Sequence, residues 1–435
     1  MKAKERIWTT QLAEHVGEQV RLMGWLHHYR QLGEIGFIIL RDKEGLAQIV
    51  STEDSMASES LHILHESVIS VEGRVVAEAQ APGGFEVHDP RIEVISPSVE
   101  APIFDLFRPQ IKAHPSTILD HAALSLRHPK RRAMARLASA SIAGFRSALS
   151  EQGFVEIQTP KLVASATEGG ANVFKLDYFG RPAYLAQSPQ FYKQTMVGVF
   201  ERVFEVGPVF RAEPHSTPRH LNEYVSLDAE MGFIENHQDV MSVLTEVVRG
   251  MAGAVAREKA ALALAGATVP QVPATIPVIH FTEAKLLYIE ATGEDVSGEP
   301  DLSPSEETWL GGWVEREHGS EFLFVWGYPM VKRPFYTYPD PQRPDYSNGF
   351  DLLFRGLEIV TGGQRLHRYE DYLRSLEGRG LSPEPFEGYL EAFKYGMPPH
   401  GGFAIGLERW VARLVGAANI RETALFPRDY GRLTP

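Results

Sequence analysis

The spacing of apolar residues along this chain changes near residue 130, and no other feature of the sequence constrains the fold as strongly. Before that point, short segments rich in β-branched residues alternate with turn residues. After it, residues 131–152 place apolar side chains at helical spacing, and Gly153 follows as a helix stop. The change predicts a β domain followed by a larger domain that combines helices and strands.

The first 104 residues predict an OB-fold, a small Greek-key β-barrel. Strand candidates span residues 20–26, 36–41, 46–50, 68–78 and 85–96. About five strands in about 100 residues suit such a barrel, although a turn-rich β-sandwich would show the same pattern. Residues 101–129 carry four prolines among residues of mixed polarity. This composition predicts a hinge without regular elements over residues 105–129.

Residues 130–435 predict an α+β domain on an antiparallel sheet flanked by helices, because strand patterns follow one another and helix patterns lie at the edges. An alanine-rich amphipathic helix is predicted over 240–265, and a final helix begins near Leu407. Further strands are predicted at 322–326, 350–354 and 357–360. Residues 266–320 carry no clear pattern.

The composition excludes several classes of chemistry. The 435 residues include no cysteine, so disulfides, thiolate metal sites and cysteine nucleophiles are ruled out. The start lacks the apolar run of a secretory signal, and no stretch reaches the ~18 apolar residues of a membrane span. We therefore expect a cytoplasmic protein without a membrane partner. The net charge of −13 argues against indiscriminate binding of nucleic acid but permits a local basic patch.

Charged side chains gather in residues 202–231. Gly207-Pro208 predicts that one strand ends there and another begins, in which Arg211 and Glu213 share a face. The strand that follows a polar loop places four side chains on one face, those of Tyr224, Ser226, Asp228 and Glu230. An aromatic ring among convergent charges indicates a ligand-binding face, although a surface ion pair also fits Arg211 and Glu213.

Two carboxylates lie in an apolar hairpin further along the chain. A turn at Arg355-Gly356 would place Leu353 opposite Glu358, with Asp351 diagonal to Glu358 on the same face. Carboxylates this close repel one another unless a cation lies between them. Oxygen ligands alone are those of Mg²⁺ held together with phosphates. A solvated pair on an edge strand is the alternative.

Two further segments are weaker signals by themselves. Ser188 can cap a helix that has Pro189 at its first position. The side chains that then share one side of the helix are Gln190, Lys193 and Gln194. Residues 401–406 are rich in glycine and precede a helix, a pattern that often brings backbone close to a ligand.

Together and in this order, these segments resemble the class II aminoacyl-tRNA synthetases of the aspartyl, asparaginyl and lysyl subclass. Residues 153–165, with Pro160, resemble the first class motif, 204–233 the second and 402–409 the third. The resemblance implies an N-terminal OB-fold that reads the anticodon, ATP as a substrate, Mg²⁺, tRNA and a homodimer formed through the first motif. Residues 187–194 and 362–365 resemble the aspartyl branch, which implies L-aspartate, and the absence of a large insertion resembles its compact archaeal type.

The resemblance assigns roles in the aspartate pocket. Lys193 and Arg365 would bind the side-chain carboxylate of the substrate, while Asp228, Gln190 and Glu168 would hold or screen its ammonium. Glu168 belongs to residues 164–172, which resemble a mobile loop of the family. The same resemblance adds two hydroxyl side chains to the pocket, Ser226 and Thr361.

ATP and metal ligands follow from the same resemblance. Arg211 would hold the α-phosphate, Glu213 the adenine amino group, and Tyr224 would stack on the adenine. The outer phosphates and the rest of the nucleotide would meet Arg219, His220, Leu221, Glu358 and Arg409, with Arg211 and Arg409 catalytic. Mg²⁺ would be held by Asp351, Glu358 and Thr361. Strict alternation separates Thr361 from Glu358, so a bulge near Gly362 is required.

The predicted tRNA contacts lie in the N-terminal domain. By resemblance, Phe37 stacks on the central anticodon base, Gln48 bonds to it and Arg30 meets the adjoining backbone; without the resemblance, Phe37 could be a barrel-core residue. His27 stands where strict enzymes often have tryptophan, and Gln80 where a lysine is expected. Both replacements favour a relaxed enzyme that charges tRNA(Asp) and also tRNA(Asn).

Three other functions stay open at this stage. An asparaginyl-tRNA synthetase is the nearest alternative, although Lys193 and Asp228 argue against it. A tRNA-independent asparagine synthetase would not need the N-terminal barrel. The third alternative is a non-catalytic OB-fold nucleic-acid-binding protein with a degenerate synthetase domain.

Overall fold

The computed structural model describes residues 5–52, 63–164 and 172–435. The chain forms two compact units, Met1–His128 and Pro129–Pro435. None of the helices in the described ranges is long and apolar enough to cross a membrane.

The first unit contains a closed five-stranded barrel, so the OB-fold prediction is confirmed and the β-sandwich alternative is wrong. The strands are β1 (Gln19–Leu32), β2 (Ile35–Arg41), β3 (Leu46–Thr52), β4 (Val68–Ala77) and β5 (Phe85–Ser96), paired in the order β1-β2-β3-β5-β4. Alternate side chains such as Leu22, Leu40 and Ile49 fill its interior and are fully buried. Phe37 is not among the buried core residues, so the barrel-core alternative for this ring is also wrong.

The hinge predicted over residues 105–129 is wrong as a segment without regular elements. It contains α1 (Pro115–Asp120) and α2 (Ala122–Ser125), which belong to the first unit. Pro115 does not prevent the helix, because at the first helical position its missing N–H would have no partner in any case. The His114 side chain accepts the N–H of Ser116 and caps the same helix.

The second unit combines strands and helices, as predicted for an α+β domain. Its elements are α3 (Pro129–Glu151), β6 (Val155–Glu156), β7 (Leu162–Val163), β8 (Lys175–Tyr178), β9 (Arg181–Leu185), α4 (Gln190–Phe200), β10 (Arg202–Phe210), β11 (Glu223–Gly232), α5 (His237–Arg257), α6 (Lys259–Ala265), β12 (Val278–His280), α7 (Phe281–Thr292), α8 (Pro304–His318), β13 (Phe322–Trp326), β14 (Gly349–Phe354), β15 (Leu357–Gln364), α9 (Tyr369–Gly378), α10 (Glu387–Lys394), β16 (His400–Gly406) and α11 (Leu407–Val415).

The predicted antiparallel sheet is confirmed for its six central strands. The sheet has eight strands in the order β12-β13-β14-β15-β16-β11-β10-β6, and only the two edge strands, β12 and β6, pair in parallel. A separate small sheet has the order β7-β9-β8. Helices α3, α5 and α11 cover one face of the large sheet and bury its apolar side chains.

Three local predictions need correction. The helix predicted over 240–265 is two helices, α5 and α6, because Glu258 leaves the helical conformation. Strand β10 runs through Gly207-Pro208 rather than ending there, because residue 208 pairs only with β11 and the other edge needs no N–H from proline. Helix α4 begins at Gln190, with Pro189 as its cap residue, and the Ser188 hydroxyl accepts the Gln190 N–H at 3.3 Å.

Candidate active site

A cavity of about 300 Å³ opens on the face of the large sheet that faces away from α5. Its walls come from β11, β15, β16, the start of α11 and the loop that joins β10 to β11. All eight residues predicted to bind ATP line it: Arg211, Glu213, Arg219, His220, Leu221, Tyr224, Glu358 and Arg409. Ser226 and Thr361 of the predicted aspartate set line it too.

Arg211 and Glu213 reach the cavity by a route that differs from the prediction. Strand β10 ends at Phe210, so the two residues do not share a strand face. Instead, the Arg211 N–H donates to the Asn222 carbonyl at 2.8 Å, and the Asn222 side chain donates back to the Arg211 carbonyl at 2.7 Å. The Arg211 guanidinium carbon lies 5.8 Å from the centre of the Tyr224 ring. Asn222, which the sequence reasoning missed, thus holds this segment beside β11.

Two further cations in the cavity wall are held by carboxylates. Arg409 donates to the Glu358 carbonyl at 3.1 Å, and its guanidinium lies 3.5 Å from the Glu358 carboxylate. Arg219 forms an ion pair with Glu307 of α8, and the same Glu307 oxygen accepts the Glu358 N–H at 2.8 Å. With Arg211, three guanidinium groups line one small cavity. Such a concentration of bidentate donors suits a polyanion such as a triphosphate.

His220 is held in its neutral form. Burial lowers its pKa, and the positive charge of Arg409 lowers it further. Its Nδ1 lies 2.6 Å from the Thr217 hydroxyl. At neutral pH this side chain therefore offers the cavity a hydrogen-bonding ring and not a fourth cation.

The carboxylate hairpin contains the required bulge, but not at the predicted place. Leu352 pairs with Val360 and Leu353 with Glu358, so the extra residue is Ile359 and not one near Gly362. The bulge places Thr361 directly across from Asp351. It also turns Thr361 to the same side as Glu358, so that the Thr361 hydroxyl donates to the Glu358 carboxylate at 3.1 Å.

The three predicted metal ligands therefore come together, although the pKa values of the two carboxylates shift in opposite directions. Burial raises the pKa of Asp351 to about 6, partly offset by Arg333, whose guanidinium lies 3.3 Å from its carboxylate. Burial acts in the same direction on Glu358, but the charge of Arg409 and the Thr361 hydroxyl lower its pKa overall. Two carboxylates and a hydroxyl are hard oxygen donors that fit Mg²⁺. The described residues contain no group of three acidic or histidine ligands, so phosphate or water oxygens would have to complete the shell.

Below the cavity lies a buried cluster of charges that contains Lys193 and Arg365. Lys193 Nζ is 2.9 Å from Asp228 and 3.4 Å from Glu230, and Arg365 Nε is 2.9 Å from Glu230. The cations come from α4 and from the end of β15, and Glu230 joins them. Its charge is retained because, against the effect of burial, Arg365 and Lys193 lower its pKa. Glu230 was predicted to share the β11 face but was not assigned to the pocket.

Gln190, Ser226 and Gly402 complete this cluster. The Gln190 amide nitrogen donates to Glu230 at 3.3 Å, and its oxygen accepts from Arg365 at 3.4 Å. The Ser226 hydroxyl donates to Asp228. A Cβ atom on Gly402 would lie 2.2 Å from the Glu230 carboxylate and 2.1 Å from a backbone oxygen. The glycine therefore makes room for a protein carboxylate, where the sequence had suggested a close approach to a ligand.

Glu168 falls outside the described residues. The residues predicted to contact tRNA lie in the N-terminal unit. In the barrel, Arg30 and Gln80 are exposed, and Phe37 and Gln48 are half-buried on the outer surface of β2 and β3. The Arg30 guanidinium carbon lies 5.1 Å from the centre of the Phe37 ring. The Gln48 amide donates to Glu86 at 2.9 Å, which leaves its oxygen turned to accept a further bond.

His27 is buried, which argues against its predicted assignment to tRNA binding. A bulge lies between Leu26 and His28, and the His27 side chain is 3% exposed, 3.5 Å from Glu66 and 5.8 Å, ring centre to ring centre, from Phe107. Glu66 also accepts from Arg41 at 2.6 Å and from Arg127 at 3.0 Å. The sequence pattern placed His27 on a regular strand, whereas in the structure it is the extra residue of a bulge and has no partner residue in β2.

Glu408 also lines the cavity, from the first turn of α11, and is almost fully buried. Both carboxylate oxygens lie 3.2 Å from the N–H of Val225, which donates to them. Burial raises the pKa of Glu408 to about 7, although backbone N–H groups act to lower it.

We expect Glu408→Gln to stabilise the protein at pH 8 and to leave its stability unchanged near pH 4. A carboxyl whose pKa is raised on folding binds more protons in the folded state, so stability falls as the pH rises from the ordinary glutamate pKa of 4.5 through about 7. The amide avoids this penalty, which is on the order of 1–3 kcal/mol, and still accepts from Val225. Denaturant unfolding at both pH values measures the difference, and equal stabilities at pH 8 would contradict the burial argument.

Comparison with known proteins adds two family matches. Residues 114–430 match the tRNA synthetases class II (D, K and N), and residues 20–95 match the OB-fold nucleic acid binding domain. An aspartate–tRNA(Asp/Asn) ligase of Thermus thermophilus is 48% identical over 99% of this chain and 100% of its own length. The ligase of the same name from Deinococcus radiodurans is 47% identical, over 99% of both chains.

Solved structures give the same fold. An asparaginyl-tRNA synthetase from Pyrococcus horikoshii, in complex with asparaginyl-adenylate, superposes with a TM-score of 0.92 at 34% identity, over 99% of this chain and 100% of that chain. An aspartyl-tRNA synthetase from Entamoeba histolytica superposes with a TM-score of 0.88 at 29% identity, over 100% of this chain and 93% of that chain. Neighbours of both amino-acid specificities thus share the architecture, so the choice of amino acid has to be argued from the pocket.

Proposed function

The chain belongs to the class II tRNA synthetases of the D, K and N group, and from that premise we propose that it is an aspartate–tRNA ligase. It activates L-aspartate with ATP to aspartyl-adenylate and transfers the aspartyl group to the 3′ end of tRNA. The proposal rests on one observation. Lys193 and Arg365 are both buried and both contact the Glu230 carboxylate, directly below a cavity lined by arginines. The names of the ligases most similar in sequence support it.

Charge balance in the pocket favours aspartate over asparagine. The buried cations Lys193 and Arg365 face the buried carboxylates Asp228 and Glu230, so these four groups sum to zero. The α-carboxylate faces the phosphates of ATP for either amino acid and is left out of this count, so aspartate adds one ammonium and one side-chain carboxylate, which keeps the sum at zero. Asparagine adds only the ammonium and leaves one buried positive charge without a partner, which is costly in a closed pocket. The asparaginyl alternative is less favoured for this reason.

The proposed activation step needs no general base. The α-carboxylate of aspartate is already ionised, and one of its oxygens attacks the α-phosphorus of ATP in line. A carbon–oxygen–phosphorus link forms, the bond from the α-phosphorus to its bridging oxygen breaks, and pyrophosphate leaves with the electron pair. Arg211 and Arg409 neutralise the charge on the phosphate oxygens in the cavity, where fixed donors act most strongly. The 3′-hydroxyl oxygen of tRNA then attacks the acyl carbon, the bond from that carbon to the phosphate oxygen breaks, AMP leaves with the electron pair, and the hydroxyl proton passes to a phosphate oxygen of AMP or to water.

Mg²⁺ is part of the proposal as a partner of ATP. Asp351, Glu358 and Thr361 would hold it, and the ion would neutralise phosphate oxygens that the arginines leave uncovered.

The same proposal includes a homodimer, because exposed apolar side chains lie in and beside the segment that resembles the first class motif: Val155, Leu162, Val199 and Phe200. A cytoplasmic location, where tRNA and ATP meet, completes it.

The amino acid is tested by ATP–pyrophosphate exchange with aspartate, asparagine and lysine in parallel reactions. We expect exchange with aspartate, and at least 10³-fold lower kcat/KM with asparagine, because a site built for a polar partner discriminates by about 10⁴–10⁵ at best. Preferential exchange with asparagine would establish the asparaginyl alternative. Failure to bind ATP at all would favour a non-catalytic nucleic-acid-binding protein.

We also propose that the enzyme aspartylates both tRNA(Asp) and tRNA(Asn). The outer barrel surface offers Phe37 for stacking and the Gln48 oxygen for one hydrogen bond, and a base stacked on an aromatic ring gains about 1–3 kcal/mol whatever its identity. Gln80 is exposed after β4 and is uncharged, so it adds no electrostatic contact that would favour binding of one anticodon over the other. His27 no longer supports the proposal, because it is buried.

The expected result is aspartylation of both tRNA transcripts with kcat/KM values within about tenfold of each other. Phe37→Ala should weaken both by the stacking energy, roughly 1–3 kcal/mol, and leave pyrophosphate exchange intact. Charging of only one transcript would refute the relaxed specificity without touching the choice of amino acid.

A further inference from the structure

A second buried network lies behind the charge cluster and takes no part in the proposed chemistry. It consists of Gln194 on α4, Tyr372 on α9, Tyr389 on α10 and His400 at the start of β16. We infer that this network fixes the positions of Lys193 and Arg365, and that it thereby sets the affinity and the selectivity for the carboxylate side chain of the substrate. The inference rests on the proposed function and adds positioning residues that lie behind the pocket.

Gln194 is the centre of the network, and its amide can take only one orientation. Its Nε2 donates to the Tyr372 hydroxyl at 3.1 Å and lies 2.9 Å from His400 Nε2, while its Oε1 accepts from the Tyr389 hydroxyl at 3.0 Å. Gln194 is fully buried, so water from bulk solvent cannot replace a hydrogen-bond partner that is lost. Rotating the amide by half a turn would place its oxygen against His400 Nε2, which is itself an acceptor because the Nδ1 hydrogen of that ring faces the Pro398 carbonyl.

The protonation of His400 follows from its two contacts. Its Nδ1 lies 2.9 Å from the Pro398 carbonyl, which can only accept, so Nδ1 carries the hydrogen. Its Nε2 is then the acceptor for the Gln194 amide. Burial lowers the pKa of His400 to about 4, in agreement with a neutral ring. The network therefore adds no third cation behind Lys193 and Arg365, and the charge balance of the pocket is preserved.

The network is joined to the pocket at three places. Gln194 follows Lys193 directly on α4. The Tyr372 hydroxyl donates to the Leu366 carbonyl at 2.8 Å, one residue after Arg365. The N–H of Arg365 donates to the His400 carbonyl at 2.9 Å. The two cations come from segments far apart in the sequence, and these hydrogen bonds tie both segments to one rigid centre.

Such a support affects aspartate more than ATP. The substrate side chain would depend on two charge-assisted bonds from Lys193 and Arg365, and such bonds weaken when the donor moves from its fitted position. The arginines proposed to hold ATP, among them Arg211 and Arg409, have none of their described hydrogen bonds to the network. A loss of general stability would affect both substrates alike, whereas a loss of positioning raises the KM for aspartate alone.

The test compares Tyr389→Phe with wild type in pyrophosphate exchange. The variant keeps the ring and removes the hydroxyl that donates to Gln194. We expect the KM for aspartate to rise at least fivefold, the ratio of kcat/KM for aspartate to that for asparagine to fall at least fivefold, and the KM for ATP to stay within twofold. Tyr372→Phe, which removes the bond to Leu366, should act in the same direction and serves if the first variant does not fold.

Tyr288→Phe is the matched control. Tyr288 is also buried and donates to a carboxylate, Glu294, at 2.8 Å, but it lies on α7 away from the pocket. It should lower the thermal unfolding midpoint and leave both KM values unchanged. Unchanged KM for aspartate in folded Tyr389→Phe, or equal rises for both substrates, would overturn the inference while leaving aspartate activation by the wild-type enzyme intact. Absence of aspartate-dependent exchange in the wild type would overturn the proposed function and with it this inference.

Discussion

Replacing Arg365 with lysine is expected to lower kcat/KM for aspartate in pyrophosphate exchange by about 10²- to 10⁴-fold. The guanidinium donates in three directions, to Glu230 at 2.9 Å, to the Gly402 carbonyl at 3.1 Å and to Gln190 at 3.4 Å. Lysine keeps the charge but lacks the planar fork, so it cannot hold Glu230 and a substrate carboxylate at once. The range corresponds to two charge-assisted bonds of roughly 1.5–3 kcal/mol each.

Arg374→Lys provides the control for this substitution. Arg374 is 71% exposed and pairs with Asp371 on the surface of α9, so its replacement should change neither exchange nor stability by a measurable amount. Near-normal exchange in Arg365→Lys, with the protein folded, would remove Arg365 from the substrate pocket and with it the main support for aspartate.

Lys193→Met is expected to have the second large effect, a loss of about 10³-fold or more in kcat/KM for aspartate together with a reduced preference over asparagine. Without Lys193, one cation faces Asp228 and Glu230. Aspartate then leaves one buried negative charge unbalanced, while asparagine brings the sum to zero. The substitution should therefore lower aspartate activation far more than asparagine activation, as measured by exchange with each amino acid.

Lys285→Met separates this effect from simple loss of a buried ion pair. Lys285 is as buried as Lys193 and lies 2.7 Å from Glu306, between α7 and α8. Its removal leaves a buried carboxylate without its partner and should cost about 3–5 kcal/mol of stability, yet preserve the aspartate preference. If Lys193→Met retains the full preference for aspartate, charge balance does not determine the choice of amino acid.

Much of the fold could be predicted because the signals are local. Alternating apolar residues indicated the five barrel strands, and helical spacing up to Gly153 indicated α3. Residues 266–320 were left without a prediction, although Ser303 and Glu306 form a capping box with Pro304 at the first helical position. That omission mattered for the site, because α8 carries Glu307, which binds Arg219 and the backbone of Glu358.

Two of the errors, those at His27 and Thr361, share one cause, a departure from regular strand geometry. A bulge between Leu26 and His28 takes His27 out of the regular pairing with β2, and another at Ile359 brings Thr361 to the side of Glu358. Each adds one residue to one strand and reverses every side chain beyond it. The side-chain pattern of a strand does not show by itself that a bulge is present. The bulge beside Thr361 was expected only because Thr361 and Glu358 were assumed to bind the same metal, and that assumption did not say which residue is the extra one.

The amino-acid sequence by itself determined which chemical groups are available and in which order the motifs occur, since strand periodicity, helix caps and motif spacing are properties of neighbouring residues. Only the tertiary structure decided which charges are partners. Lys193 meets Asp228 across 35 positions, and Arg365 meets Glu230 across 135. These ion pairs form because the groups are close in space and buried together, and neither condition is encoded at any single position of the chain.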